Sequence, residues 1–356
     1  MNCLKTGQEY LTTNLSSPDS NHIELIVFGK GVGECVLIKS KNGDYIVIDS
    51  FIDNRTGNPV VLDYLDKFNI PYSNIKMIII THWHTDHIEG VSKIIEAIEG
   101  QVKVVINPII KEKRYLDFLT RQTIKENNDI GEFFKVLNLI KNGKIKKIIP
   151  VADITLYASD LKDLKLIALS PQNSDLGDYI DSLLDEKLPK NDNFRIPDDN
   201  LLSIVVLLEF NGNSILLSGD MENRKNGGWN EIIKNYLKIY PKSKIYKVPH
   251  HGSVTGENPL IWNNLLDDPI SLTTLYNRSY LPKDEDIERI VSNSKEVYVI
   301  GDKGRHIDEL EREFKKQSIN KEFLALSNKI GFVRIILNDS FDHNVETIGS
   351  VRKYWL

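Results

Sequence analysis

Cysteine is nearly absent from this chain: Cys3 and Cys35 are the only two among 356 residues. One lies in a polar start and the other beside an apolar run, which speaks for two reduced thiols and against a disulfide-stapled secreted fold. Neither is a site candidate. Long apolar runs are missing as well. None approaches the ~18 residues of a membrane-spanning helix, and the opening MNCLKTGQEYLTTNLSSPDS lacks the apolar core of a secretory signal. The expectation is a cytoplasmic protein with no membrane partner. Excess positive charge is also lacking, with 45 Lys and Arg against 50 Asp and Glu and a formal net charge of −5. That balance excludes a protein that coats nucleic acid through bulk positive charge, while leaving room for a local basic track. Disorder is excluded too, because 41% hydrophobic residues over this length supply a normal globular core.

One local track exists. Between Lys103 and Lys147 stand 11 Lys or Arg against 5 Asp or Glu. It reads either as a solvated helix face or as a surface that contacts phosphates. Between residues 174 and 199 the balance reverses, 8 acids against 3 bases with Gly and Pro interspersed, which reads as an exposed loop or insert.

The densest chemistry lies in Thr81-His-Trp-His-Thr-Asp-His87, directly after the apolar run Lys76 to Ile80. Three of the chain's eight histidines and a carboxylate fall within six residues at a predicted strand end. Neutral imidazoles and carboxylates are the ligands of borderline divalent metals. Metal binding is the reading this spacing supports, against an ordinary His-rich surface loop. After the cluster, Ile88, Val91, Ile94, Ile95 and Ile98 recur at helical steps, so Asp86 and His87 sit near a helix start and His82 and His84 on the loop before it.

Earlier in the chain, Ile23 to Phe28 and Cys35 to Ile38 read as strands. The latter leads through Lys41-Asn-Gly-Asp44 to a returning strand that ends at Asp49. Asn-Gly favours a hairpin because a type I′ turn needs positive φ at both central residues. The GKGVGE stretch is no phosphate loop, since it lacks the Lys-Ser/Thr ending and sits between strands. Residues 59–70 have helical periodicity. The second half echoes this order: a hairpin turn at Phe210-Asn-Gly-Asn213, a strand ending near Asp220, a helix from Trp229 to Tyr240, and a strand from Lys244 that ends at His250. Two similar halves facing each other are predicted. Tyr115 to Ile140 reads as helix and Val151 to Ser170 as strands. Beyond Asp284 come a helix, a strand, a charged helix Asp308 to Lys316, and strands around Phe332 to Leu337.

His82, His84, Asp86 and His87 form the string HxHxDH, which resembles the first metal motif of the metallo-β-lactamase superfamily. Leu216-Leu-Ser-Gly-Asp220 and Val248-Pro-His-His-Gly-Ser253 look like its bridging-acid and last-histidine motifs, in the right order. By pattern the chain is most similar to the metallo-hydrolase domains of competence-type DNA-uptake proteins, over roughly residues 22 to 305. The resemblance implies an α+β fold, an αββα sandwich of two mixed β-sheets flanked by helices, with metals where the halves meet. It implies a polar lead-in at 1–21, the metallo-β-lactamase-like domain at 22–305 with a helical insert near 110–147, and a C-terminal extension at 306–356 packed on the core and available to a protein partner.

It further implies two divalent ions, zinc or manganese. His82 and His84 would hold one, Asp86 and His87 the other, Asp220 would bridge, and either His250 or His251 would complete the second site. Asp86 and His251 are the catalytic candidates. Asp49 is expected to orient a ligand histidine. The superfamily's further histidine between the first motif and the bridging acid is missing here, and Asp199-Asn-Leu-Leu-Ser203 stands in its place, so the first site is more open. Asn200 and Ser203 either contact substrate or make ordinary hydrogen bonds where a strand begins. His306 and His343 lie outside any motif. The implied activity is hydrolysis by a metal-bound hydroxide, of phosphodiesters and nucleic acid foremost. A small ester, thioester, lactone or lactam is the alternative substrate, and a metal-stabilised scaffold or binding subunit the alternative without turnover.

Overall fold

The computed structural model describes residues 5–7, 15–108, 128–160, 163–177, 199–225, 227–236, 239–302 and 330–355. In the first half, strands β1 (Lys5–Gly7), β2 (Ile23–Gly29), β3 (Glu34–Lys39), β4 (Tyr45–Ile48), β5 (Ile75–Ile80), β6 (Val102–Ile106) and β7 (Ile145–Ile148) alternate with helices α1 (Val60–Lys67), α2 (Thr85–Ile88), α3 (Val91–Ala97) and α4 (Asn128–Lys141). The second half adds β8 (Ile154–Ala158), β9 (Leu164–Ala168), β10 (Val206–Phe210), β11 (Asn213–Leu217), a short ribbon of β12 (Asn223–Arg224) and β13 (Gly227–Gly228), β14 (Ser243–Lys247), β15 (Leu266–Thr274) and β16 (Glu296–Ile300), with helices α5 (Trp229–Tyr236) and α6 (Asp284–Val291). Strands β17 (Gly331–Leu337), β18 (His343–Gly349) and β19 (Val351–Trp355) close the chain.

Two mixed sheets result. One runs β18, β17, β2, β3, β4, β5, β6, β7 and the other β1, β19, β16, β15, β14, β11, β10, β9, β8. Their central strands are buried on both faces, and the period-2 alternation of side chains divides each of these between two cores. On β2, Leu25 and Val27 face the second sheet and join Leu166, Val206 and Leu272 between the sheets. Ile26 and Phe28 face outward and pack with Val61 and Leu65 of α1 and Ile94 of α3. On the far side, Trp229 and Ile233 of α5 and Ile290 of α6 cover Leu216 and Val299 of the second sheet. Burying each such side chain contributes about 1.5–3 kcal/mol before conformational entropy is counted against it. The order of layers is helix, sheet, sheet, helix, as expected.

The two halves share a plan. An antiparallel β3–β4 pair leads through α1 to β5, parallel to β4, and an antiparallel β10–β11 pair leads through α5 to β14, parallel to β11. The hairpin turns differ from one another. Asn211 and Gly212 both have positive φ, 46° and 77°, as a type I′ turn demands, but in the first turn only Gly43 does (81°). The helix predicted after the histidine cluster is broken into α2 and α3 at Gly90, whose φ is 84°. A Cβ there would meet Ile52 Cγ1 at 2.8 Å, so the chain turns where only glycine fits.

Residues 331–355, placed by sequence in a C-terminal extension, supply strands to both sheets. β17 pairs with β2 along its length from Gly331↔Gly29 to Leu337↔Ile23, and β19 pairs with β16. Within the polar lead-in, β1 pairs with β19. The charged helix predicted from Asp308 to Lys316, the first part of the helix predicted from Tyr115, and most of the acidic stretch 174–199 lie outside the described residues. Among the described residues no helix is long and apolar enough to cross a membrane.

Candidate metal centre

The C-terminal ends of the parallel strands converge on one edge of the sandwich, where open α/β sheets gather functional groups. Asp49 follows β4 and adopts φ 59°, a left-handed conformation that Asp tolerates, while its N–H donates to Ile79 O at 2.9 Å. Thr81 to His87 follow β5. Asp220 follows β11 through Gly219, where a Cβ would come within 2.5 Å of Ser203 Oγ. The Asp220 N–H donates to that same hydroxyl at 3.0 Å, fixing the turn. His250 and His251 follow β14 with φ of 48° and 53°. Two successive non-glycine residues in the left-handed region are strained, and the turn they make sends the two rings in different directions.

Asp86, His87, Asp220 and His251 bring one donor atom each within 4.8 Å of one another, and all four residues are buried. His87 Nε2 lies 3.4 Å from an oxygen of Asp86 and 3.4 Å from one of Asp220. His251 Nε2 lies 3.1 Å from Asp86 Oδ2 and 3.7 Å from Asp220 Oδ2. His82 Nε2 is 3.9 Å from Asp220 Oδ2 and 3.1 Å from His84 Nδ1.

Hydrogen bonds on the outer side of the rings settle their orientation. Asp49 accepts from Thr81 N at 2.8 Å, from Thr81 Oγ1 at 2.6 Å and from His87 Nδ1 at 2.8 Å. The proton at His87 therefore sits on Nδ1, and Nε2 faces the two carboxylates. Since the Thr81 hydroxyl gives its proton to Asp49, its oxygen accepts from His82 Nδ1 at 3.0 Å. His82 Nε2 thus presents a lone pair inward.

The electrostatics ask for a cation. Burial, with His87 and His84 beside it, holds the His82 ring well below its ordinary pKa. Burial opposes charge on Asp86 and Asp220, yet His87 and His251 outweigh it and hold both carboxyls well below the usual range. Burial also opposes charge on His87, but Asp220, Asp86 and Asp49 prevail and push its pKa well above the ordinary value. Asp49 is pushed up, by burial. Positive charge is demanded at His87 Nε2, and that atom makes no hydrogen bond, nor does the buried Asp220 Oδ1. Leaving such groups unsatisfied costs about 1–3 kcal/mol each. A divalent ion between two carboxylates and inward-facing imidazole nitrogens removes both costs, so the residues fit a metal.

Of the residues named from sequence, His82, Asp86, His87, Asp220 and His251 meet, with the half-buried His84 beside His82. His250 does not join them. Its Nδ1 lies 2.9 Å from both Glu222 Oε1 and Thr255 Oγ1, because the strained turn points it away from the centre. Asp49 accepts from His87 Nδ1 at 2.8 Å. Ser203 anchors the Asp220 backbone, and the buried Asn200 lies beside Glu222, whose carboxyl it helps hold below its ordinary pKa. His343 is exposed on β18, and His306 lies outside the described residues. Sequence reasoning missed Glu34, Lys247 and Thr274, buried behind His251, and Tyr276, which stacks on the His251 ring at 5.0 Å and 22°. The available signal was charge inside apolar strands, Glu34 before Cys35-Val-Leu-Ile38 and Lys247 after Ile245-Tyr246.

Residues 28–120 match the family model of the metallo-beta-lactamase superfamily. No curated protein sequence matches the chain. Among solved structures it is similar to Igni18, a metallo hydrolase from the hyperthermophilic archaeon Ignicoccus hospitalis, at 16% identity and TM-score 0.45 over 79% of this chain and 95% of that one. It is also similar to zinc-bound PqqB from Methylobacterium extorquens, at 9% identity and TM-score 0.41 over 78% of this chain and 98% of that one. With two mixed sheets between helical layers, the chain has the fold of the metallo-beta-lactamase superfamily, whose family model it matches across residues 28–120.

Proposed function

We propose that the protein is a metal-dependent hydrolase of phosphodiesters. The observation that carries the hydrolase reading is the buried set Asp86, His87, Asp220 and His251, with donor atoms within 4.8 Å of one another and two orphaned polar atoms turned into the gap. His82 and His84 extend the set, and with Asp220 between the two groups they would hold a second ion. Nitrogen and carboxylate donors suit zinc or manganese. A divalent cation held there supplies Lewis-acid polarisation of a substrate oxygen and offsets negative charge that develops during cleavage.

The chain's own groups do the positioning. Asp49 keeps the proton on His87 Nδ1, and Tyr276 covers one face of His251. Support for an anionic substrate comes from Arg278, an exposed residue whose positive charge acts on Tyr276, the ring stacked on His251. A guanidinium in that place is suited to a phosphate. A nucleic-acid strand is the phosphodiester that the local basic excess from Lys103 to Lys147 favours, although Lys111, Lys113 and Arg114 lie outside the described residues.

The test is metal analysis combined with turnover of bis(p-nitrophenyl) phosphate, single-stranded DNA and p-nitrophenyl acetate, each with and without a chelator. Bound transition metal and chelator-sensitive cleavage of both phosphodiesters is the expected result. Absence of metal after metal-replete expression overturns the hydrolase reading, and cleavage of the acetate alone overturns the substrate assignment.

A further inference from the structure

Behind His251, on the side away from Asp86 and Asp220, three polar residues are sealed in the interior and have no role in the reading above. Glu34 begins β3 of one sheet, while Lys247 and Thr274 end β14 and β15 of the other. They are 2%, 1% and 0% exposed. Lys247 Nζ lies 2.6 Å from Glu34 Oε2, and Thr274 Oγ1 donates to the same oxygen at 2.6 Å. Thr274 Oγ1 also lies 2.9 Å from His251 Nδ1.

The direction of every proton in this chain follows from donor and acceptor counting. A carboxylate beside a buried ammonium is ionised and offers only lone pairs. The threonine hydroxyl has one proton, and the 2.6 Å contact commits it to Glu34. Toward His251 the hydroxyl can then only accept, so His251 is protonated at Nδ1. Its Nε2, 3.1 Å from Asp86 Oδ2 and 3.7 Å from Asp220 Oδ2, donates to Asp86 in the metal-free protein and would offer a lone pair to an ion that displaces that proton.

We propose that Lys247, Glu34 and Thr274 form a positioning relay that fixes the tautomer and aim of His251. This inference rests on the metal-centre reading and goes beyond it. The relay draws on both sheets. A ligand from the second half is therefore set only when the sandwich has closed on Glu34 from the first half, which makes metal affinity a report on docking of the two sheets. Such outer hydrogen bonds typically govern metal affinity by about 10–100-fold.

The test uses the full-length protein as wild type, Thr274→Ser and Thr274→Val, each checked for native circular dichroism and titrated with Zn²⁺ against a chromophoric chelator. Serine keeps the hydroxyl and should stay within about threefold of wild type, whereas valine keeps the shape and should weaken zinc by about 10–100-fold. In parallel, ¹⁵N-histidine spectra of the zinc-loaded proteins, assigned with a His251→Gln variant, should show an exchange-protected Nδ1–H in wild type that Thr274→Val loses. A merely structural hydroxyl would not move that resonance. Wild type that binds no zinc brings down the metal-centre reading and the relay with it. Wild type that binds zinc while Thr274→Val binds within threefold overturns the relay alone. Zinc-loaded wild type with the His251 proton on Nε2 also overturns it, whatever the folding of the variants.

Discussion

Asp220→Asn removes the one carboxylate that faces all three inward-turned rings. Its Oδ2 lies 3.4 Å from His87 Nε2, 3.7 Å from His251 Nε2 and 3.9 Å from His82 Nε2, at a residue only 2% exposed. Asparagine keeps the shape and deletes the charge. At an effective dielectric constant of about 20, a carboxylate attracts a unit positive charge about 4 Å away by about 4 kcal/mol. That corresponds to a loss of about three orders of magnitude in cation affinity. The fold should persist, because the backbone N–H of residue 220 still donates to Ser203 and the neighbouring Leu217 and Met221 remain packed. The assay is metal stoichiometry at micromolar free zinc, phosphodiester turnover, and thermal melting of the metal-free protein. Turnover should fall about 1,000-fold or more, the stoichiometry should drop, and the melting temperature should move by no more than about 5 °C. A variant that keeps its metal and turns over within tenfold of wild type would refute the placement of Asp220 between cations.

Three further outcomes follow from other parts of the molecule. Glu24→Ala should destabilise the protein by about 3–5 kcal/mol in urea melts, because it strips the buried Arg334 of contacts at 2.9 Å and 2.8 Å. Arg278→Glu should raise the KM for an anionic phosphodiester severalfold more than it changes kcat, a split that steady-state kinetics reads directly. His250→Gly should leave zinc affinity within about threefold, since His250 faces Glu222 and Thr255. It should also remove about 1–2 kcal/mol of left-handed backbone strain, which a melt of the variant beside His250→Ala would resolve.

How much of the fold could be read in advance depended on the range of the signal. The strand character of Ile23 to Phe28 was plain from its apolar run, and the helix, sheet, sheet, helix order followed from the resemblance and the repeated halves. Register was not plain. β2 lies between β3, a few residues away, and β17, some three hundred residues on, and nothing local in IELIVFG announces the distant partner. Glu24 is the one charged residue in that run. In the fold it is fully buried because Arg334 on β17 meets it, an interaction that separate strands cannot reveal. The break at Gly90 was hidden for a similar reason: the helical periodicity continues through it, and the crowding that ends α2 comes from Ile52.

The site divides along the same line. HxHxDH and the Gly-Asp and His-His-Gly stretches were legible because one short loop supplies several ligands, so the chemistry leaves a local mark. Choosing between His250 and His251 required the backbone. The internal echo aligns His250 with His82, each six residues on from the lysine that opens its predicted strand, Lys244 and Lys76, and the two would be equivalent if the turns were alike. They are not, since φ is positive at both His250 and His251 but at none of residues 81–87. That extra left-handed turn advances the inward position by one residue, giving it to His251 and leaving His250 on Glu222. The same displacement brings His251 Nδ1 against Thr274, so the strained turn and the buried Glu34–Thr274 pair act on one side chain from opposite ends. Neither would aim the ring alone: the turn sets where the side chain leaves the backbone, and the hydroxyl sets which nitrogen faces the carboxylates.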